Sequence, residues 1–297
     1  MFFNSFILLF FGAVIPCPKG YFSLNSIDCH SLLKCNEIKS LSLGDLVGFG
    51  AVKQIYKSSW NGFSVAVIFV NNVEYLNDFH HGLNLLIDLN PSKYVPILIG
   101  YCKENHVYVT KYYPLGSLIG FSNYVPENIL ENLKYRFKLC LNYIEIINYI
   151  HSLKDVPLVM CDTNTLNKTL EQYLLDDDKI ILNDIDALTP VKSGGIICGK
   201  REITGHFAAP EQRWSYKERS FNHSLMKHYD EKTDIWKIPH VCSHLLGDAK
   251  AAVSVKFHLF PINKKCLQND SFSRPRASEV LLYYKSIYND IFIKDEL

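Results

Sequence analysis

Asn183-Asp184-Ile185-Asp186-Ala187-Leu188 is followed by Ala209-Pro210-Glu211 and then by Asp230-Glu231-Lys232-Thr233-Asp234-Ile235-Trp236. Asp184 comes just after the apolar run Ile180-Ile181-Leu182, so it closes a strand. In that position an Asp is either a turn residue or a carboxylate displayed at a strand end. Downstream, Glu231 to Leu246 and Ala277 to Ile291 read as helices, the second opening after Arg274-Pro275. Upstream, Tyr135 to Leu153 repeats apolar residues at three and four (Phe137, Leu141, Ile144, Ile147, Ile150), which predicts a long amphipathic or buried helix. The first half is different. Gly44 to Tyr56, entered from Ser40-Leu41-Ser42-Leu43, alternates, breaks at its glycines, and alternates again; Val65 to Val70 suits a buried strand. Asp78 to Leu89 has helical spacing, and Ile97 to Tyr101 and His106 to Thr110 are further strands. The order predicts an α+β chain: a small strand-rich lobe with one helix, then a larger helical lobe, joined near Lys111-Tyr112-Tyr113. Such an architecture places a ligand between lobes.

The chain has 297 residues, 48% hydrophobic and 21% charged, enough for one two-lobed domain and not disordered in composition. Its net charge is +1 and it has no long Lys/Arg run, which argues against a nucleic-acid partner. Phe2 to Ile15 is nearly all apolar but shorter than the ~20 residues of a membrane span. Residues 1–16 are expected to be a signal peptide or a short N-terminal anchor that allows membrane association. The last four residues, Lys294-Asp295-Glu296-Leu297, read as an endoplasmic-reticulum retention signal recognised by the KDEL receptor. In an oxidising lumen the nine cysteines acquire meaning: Cys17, Cys29 and Cys35 cluster in segment 17–39, and Cys102, Cys198 and Cys266 lie far along the chain. The odd total leaves a thiol over. Cys140 and Cys161 are expected to be reduced, interior residues. A zinc site finds no close Cys-x-x-Cys or Cys-x-x-His pairing. N-glycosylation acceptors stand at Asn167, Asn222 and Asn269.

These pieces, in this order, resemble the protein-kinase-like fold, over residues 40–293. The resemblance implies ATP with Mg2+ or Mn2+, and it assigns parts. Gly48-x-Gly50 would form the phosphate-covering loop, since glycine lets backbone N–H groups approach phosphate; taken alone it is a hairpin turn. The strand that should carry a lysine reads Val65-Ala66-Val67-Ile68, with isoleucine in its place. Lys53, on the loop strand, would supply the cation instead. Alone it would be a surface lysine. Thr110 and Tyr112 are further nucleotide-binding candidates. The glutamate that normally pairs the lysine falls on Gly82, leaving Asp78 or Glu74 as substitutes or as ordinary solvated residues. In Leu158-Val159-Met160-Cys161-Asp162, Asp162 is the candidate base and Cys161 replaces an arginine that receives an activation-loop phosphate in many kinases. Asp184 is the metal ligand. The second ligand is Gln172 when counted back from Leu174-Leu175, or Asn167 when counted forward from Asp162. Glu211 and Arg274 would form a buried ion pair, and Asp234 would accept hydrogen bonds from the catalytic-loop backbone.

Met160-Cys161-Asp162, Asn183-Asp184-x-Asp186-Ala187-Leu188 and Trp236-Lys237-Ile238-Pro239 narrow the resemblance to the protein O-mannose kinase family. It implies phosphorylation of the mannose 6-hydroxyl within a GalNAc–GlcNAc–mannose trisaccharide on α-dystroglycan-like glycoproteins. Animal members usually carry a type II membrane anchor, and the opening here is short. Two other readings stand beside it. A pseudokinase that binds glycan or protein fits the losses at Ile68 and Gly82, but not the retention of Asp162 and Asp184. A lumenal kinase of protein Ser, Thr or Tyr differs only in its acceptor.

Overall fold

The computed structural model describes residues 17–25, 27–121, 132–216 and 218–293. The expected signal segment, 1–16, and the terminal tetrapeptide, 294–297, lie outside the described residues. The chain divides into two compact units.

The first unit takes residues up to 76, with 87–92 and 97–112. A short hairpin, β1 (Tyr21–Phe22) and β2 (His30–Ser31), precedes helix α1 (Cys35–Lys39). The unit is built on five antiparallel strands: β3 (Leu46–Phe49), β4 (Lys53–Trp60), β5 (Phe63–Val70), β6 (Leu98–Cys102) and β7 (Val107–Lys111), in spatial order β3-β4-β5-β7-β6. Helix α2 (Leu76–Leu89) falls between β5 and β6 in the chain. The expected order of strand, strand, strand, helix, strand, strand is met, with most ends displaced by a residue or two and β4 running on to Trp60, past the expected Tyr56. Asn61 and Gly62 both take positive φ (48° and 82°), as a two-residue hairpin turn matched to strand twist demands. The continuous apolar run Val65-Ala66-Val67-Ile68 is central and wholly buried. The N-terminal segment covers one face of the sheet, where Phe22, Leu33 and Ile38 join Val65, Val67 and Val109. Leu33 bonds through its backbone to Ile99 and Tyr101 at 2.8 and 3.2 Å. A Cβ on Gly100 would stand 2.5 Å from Leu33, so only glycine permits that approach.

The second unit takes 77–86, 93–96 and everything from Tyr113. Its helices among the described residues include α3 (Leu133–His151), α4 (Leu166–Glu171), α5 (Lys232–Leu246), α6 (Lys250–Cys266) and α7 (Ala277–Phe292). All five apolar positions expected on α3 are buried, and Asn132 caps it by accepting from the Tyr135 N–H at 2.9 Å. Two small antiparallel ladders complete the unit, β9 (Tyr173–Asp176) with β10 (Lys179–Leu182), and β8 (Leu158–Met160) with β11 (Leu188–Pro190). Helix α6 is an addition to the sequence reading. Its inward stripe of Ala252, Val255, Leu259, Ile262 and Cys266 has helical spacing. Exposed Val253, Phe257 and Phe260 on its other side, and Pro261 within it, blur that pattern.

Among the described residues no helix is long and apolar enough to cross a membrane. Three disulfides join Cys17 to Cys29, Cys35 to Cys102 and Cys161 to Cys198. Cys140, Cys242 and Cys266 are free and buried. Cys161 is therefore not the reduced interior residue expected from its apolar neighbours: strand pairing of β8 with β11 brings the segment carrying Cys198 back across it. Cys35, Cys102 and Glu104 are clustered closely enough for a metal, but the two sulfurs are bonded to each other.

Candidate active site

The site in the second unit is built around a loop tied down from below. Asp234 on α5 is 1% exposed and accepts from the Met160 N–H at 3.1 Å and from His151 Nε2 at 3.2 Å. Lys237, one turn along, is equally buried and donates to Thr163 Oγ1 and to Asp234 Oδ1. Thr163 Oγ1 in turn donates to Met160 O at 2.7 Å. Burial pulls the Lys237 ammonium below its ordinary value against the opposing charge of Asp234. Residues 160–163 are thus held at both ends, and Asp162 stands out from them half-exposed. The expected role of Asp234 toward the loop backbone is met. Lys237 appears in the sequence only as one letter of a motif, and its part in the clamp shows once α5 is packed.

Gln172 joins three candidates. Capping the end of α4, it is 1% exposed, and its Nε2 donates to Asp162 O at 3.0 Å and Lys168 O at 3.1 Å. Its backbone carbonyl accepts from the N–H groups of Asn183 and Asp184 at 2.9 and 3.2 Å. Its side-chain Oε1 is buried without a hydrogen-bond partner among the described residues. A buried amide oxygen left unsatisfied is costly and calls for an explanation. On a residue bonded through its backbone to Asp184, it is a hard oxygen donor of the kind Mg2+ or Mn2+ takes. Asn167, the other candidate, is exposed on α4.

Lys168 is the residue that sequence reasoning missed. Its Nζ lies 3.0 Å from Asp162 Oδ2 and 3.9 Å from Glu171 Oε2. Partial burial works to lower its pKa, but the Asp162 hydrogen bond and charge, with Glu171 and Asp184, hold the ammonium above its ordinary value. A lysine six residues past an aspartate carries no sequence signal; α4 brings it back.

The segment after Asp184 is fastened in three places. His81 Nε2 on α2 donates to Leu188 O at 2.7 Å. Gly82 leaves no room beside Asp186, where a Cβ would stand 2.9 Å from the Asp186 Cβ. Cys161, immediately before Asp162, is bonded to Cys198. Further on, Arg274 donates to both Glu211 oxygens at 2.6 and 2.7 Å, and its guanidinium lies over the Trp236 ring. That ion pair is as the sequence reading has it. Glu74 and Asp78, the substitutes considered for the glutamate, are exposed.

The nucleotide candidates of the first unit lie on its sheet. Gly48 is in β3, and a Cβ there would meet the Ile55 side chain at 3.0 Å. The Gly50 N–H donates to Lys53 O at 2.8 Å, closing the β3–β4 hairpin. Lys53 opens β4 opposite Val70, while Ile68 is buried within β5. Thr110 is buried in β7 and donates to Lys111 O; the Tyr112 N–H donates to Ser64 O at 3.2 Å, with Lys57 over its ring.

An antiparallel five-stranded unit followed by a helical one, with Asp162, Gln172 and Asp184 connected through hydrogen bonds, defines a protein-kinase-like phosphotransferase. No protein-family model matches the chain. Curated relatives do: it is 44% identical to the protein O-mannose kinase of Xenopus laevis over 284 residues, covering 91% of this chain and 80% of that protein. The human protein O-mannose kinase is 40% identical over 285 residues, covering 93% and 81%. The chain belongs to the protein O-mannose kinase family.

Proposed function

We propose that this chain transfers the γ-phosphate of ATP to the 6-hydroxyl of an O-linked mannose, presented in a GalNAc–GlcNAc–mannose trisaccharide on an α-dystroglycan-like glycoprotein. The acceptor is supported by the name its relatives carry. The chemistry is supported above all by Gln172, which bonds the loop of Asp162 and the backbone of Asp184 while keeping a buried acceptor oxygen unsatisfied. Phosphoryl transfer asks mainly for positioning and charge. Asp162 orients the sugar hydroxyl and takes its proton. Asp184 and Gln172 would hold Mg2+ or Mn2+, which would supply positive charge to offset that of the phosphates. Lys53 supplies a cation for the α/β-phosphates, Gly48 and Gly50 leave backbone room for them, and Thr110 and Tyr112 contribute to the nucleotide site. The three disulfides fit an oxidising, lumenal or secretory compartment. We place the reaction in the endoplasmic reticulum, with the KDEL receptor as the partner of Lys294 to Leu297.

The test is to incubate the full chain with ATP, Mn2+ and the trisaccharide, beside a peptide control, and to titrate ATP calorimetrically. Asp162→Asn is expected to suppress transfer and keep metal-dependent ATP binding, Asp184→Asn to weaken both, and Lys53→Ala to abolish transfer with the melting temperature unchanged. Preference for the peptide would overturn the acceptor. Parent-like transfer by both aspartate variants would reduce Asp162 and Asp184 to turn residues.

A further inference from the structure

We infer that the outward face of helix α6 lies against the surface of a phospholipid bilayer, with two phenylalanines set among the acyl chains and lysines at the level of the phosphates. The phosphotransfer chemistry uses no residue of this helix. The inward stripe of α6 (Ala252, Val255, Leu259, Ile262 and Cys266) is buried in the second unit, so the opposite face ought to be polar. It is not. Val253, Phe257 and Phe260 are 59%, 75% and 61% exposed. Their spacing of four and three puts them on one stripe, about 10 Å long at the helical rise. Carried on at the same spacing, the stripe meets Lys250 at one end and Lys264 at the other, both exposed, with exposed Lys265 next to the second. Lys256, nearer the buried side, is held by Asp248 at 3.0 Å. Nowhere does α6 carry Asp or Glu.

Single apolar residues scattered over a surface mean little, whereas a contiguous patch marks a contact. Charge and area decide with what. A standard protein interface takes about 800 Å2 from each partner. One valine and two phenylalanines at these exposures offer about 300 Å2. A second copy is also opposed by charge. The stripe is symmetric about Phe257, so a two-fold pairing of two such faces would lay Lys250 against the partner's Lys264. A bilayer answers both features. Its interface accepts a shallow apolar stripe to a depth of about 5–10 Å, and headgroup phosphates are anions that the two terminal ammoniums reach by extending their stems outward. So small an area makes the attachment weak and reversible. Its effect is to set which side of the second unit faces the lipid.

The apolar run Phe2 to Ile15 offers the full chain another route to a bilayer, so the experiment reads α6 locally. Full-length Phe257→Trp is mixed with phosphatidylcholine–phosphatidylserine vesicles brominated on their acyl chains, and the parent supplies the baseline of Trp60, Trp214 and Trp236. The added indole is expected to emit at shorter wavelength and to be quenched by the bromines. Adding Lys250→Ala and Lys264→Ala should lower the affinity read by that quenching about tenfold, and less on phosphatidylcholine alone. Phe257→Ser with Phe260→Ser should melt with the parent and keep its rate toward the free trisaccharide, because both side chains already stand in water. A lowered melting temperature in that pair would mean that the face is packed, and overturns the inference. An unquenched indole overturns it too, whether or not the chain floats with the vesicles. The serine pair then identifies the true occupant. Loss of a dimer in sedimentation velocity would assign the face to a second copy. A higher KM for a glycoprotein acceptor, with that for the trisaccharide unchanged, would assign it to the acceptor protein. Failure of the parent to phosphorylate the trisaccharide would overturn the acceptor reading and leave the quenching result standing.

Discussion

A methyl group on Gly82 would stand 2.9 Å from the Asp186 Cβ and 3.1 Å from its backbone N and Cα. Gly→Ala inside a helix ordinarily gains about 1 kcal/mol. Here the new atom meets backbone that cannot swing aside, and overpacking of that kind costs about 1–3 kcal/mol. The clash is expected to win, so Gly82→Ala should melt below the parent in a thermal scan and transfer phosphate more slowly. An unchanged or raised melting temperature would mean that α2 shifts freely and that the close approach has no consequence. The position was legible as a gap in the sequence, because a glycine stood where a glutamate was looked for. What fills the gap was not, since Asp186 is distant in the chain and meets Gly82 only through folding. Gln172 is a similar case. Counting along the chain gave either Gln172 or Asn167, and burial separates the two: among the described residues one amide oxygen is enclosed without a hydrogen-bond partner, while the other side chain is exposed.

At the scale of elements, β8 and β11 lay the residue before Asp162 against the segment that follows Asp184, and the Cys161–Cys198 bond makes that contact covalent. Cys198 lies among Val159, Ile196 and Tyr229, and its N–H donates to the Tyr229 hydroxyl at 2.6 Å. The resemblance places an arginine for a regulatory phosphate where Cys161 stands; the disulfide ties down the same segment without a phosphate. The bond joins residues 37 apart, and a loop of that length is worth about 4 kcal/mol in the chain-entropy account. Cys198→Ser is therefore expected to lower the melting temperature. It should also lower transfer to the sugar more than metal–ATP binding, because the released segment borders the loop of Asp162. Transfer and melting at parent values would make the bond dispensable. Helix α6 shows how an element can be missed: its core stripe is regular, yet its outer side carries as many large apolar residues, so periodicity alone does not pick a face.

For the whole molecule, the nine cysteines give a countable outcome. Six are paired and Cys140, Cys242 and Cys266 are buried thiols. Burial, with the nearby Cys242, pushes the Cys266 thiol up to about 12, and burial raises Cys242 well above its ordinary value. At pH 8 the Cys266 thiolate is then only about one part in 10^4, and alkylation needs thiolate. Intact-mass measurement after iodoacetamide should find no adducts on the native chain. Denatured without reductant, the chain should carry one adduct for each of the three free thiols. Adducts on the native chain, or a different count after denaturation, would contradict the pairing. By itself the sequence determined the α+β order, the apolar face of α3, the Glu211–Arg274 and Asp234 anchors and the candidacy of Asp162 and Asp184. The first two rest on periodicity, a property of neighbouring residues; the anchors and the two aspartates rest on the family resemblance that their short motifs carry. Only the tertiary structure decided which cysteines meet, that Lys168 turns back onto Asp162, that Lys237 belongs to the loop clamp and that Gln172 encloses an unsatisfied oxygen. Each of these depends on residues brought together by packing, and pairwise distance and burial have no expression in the linear order of the chain.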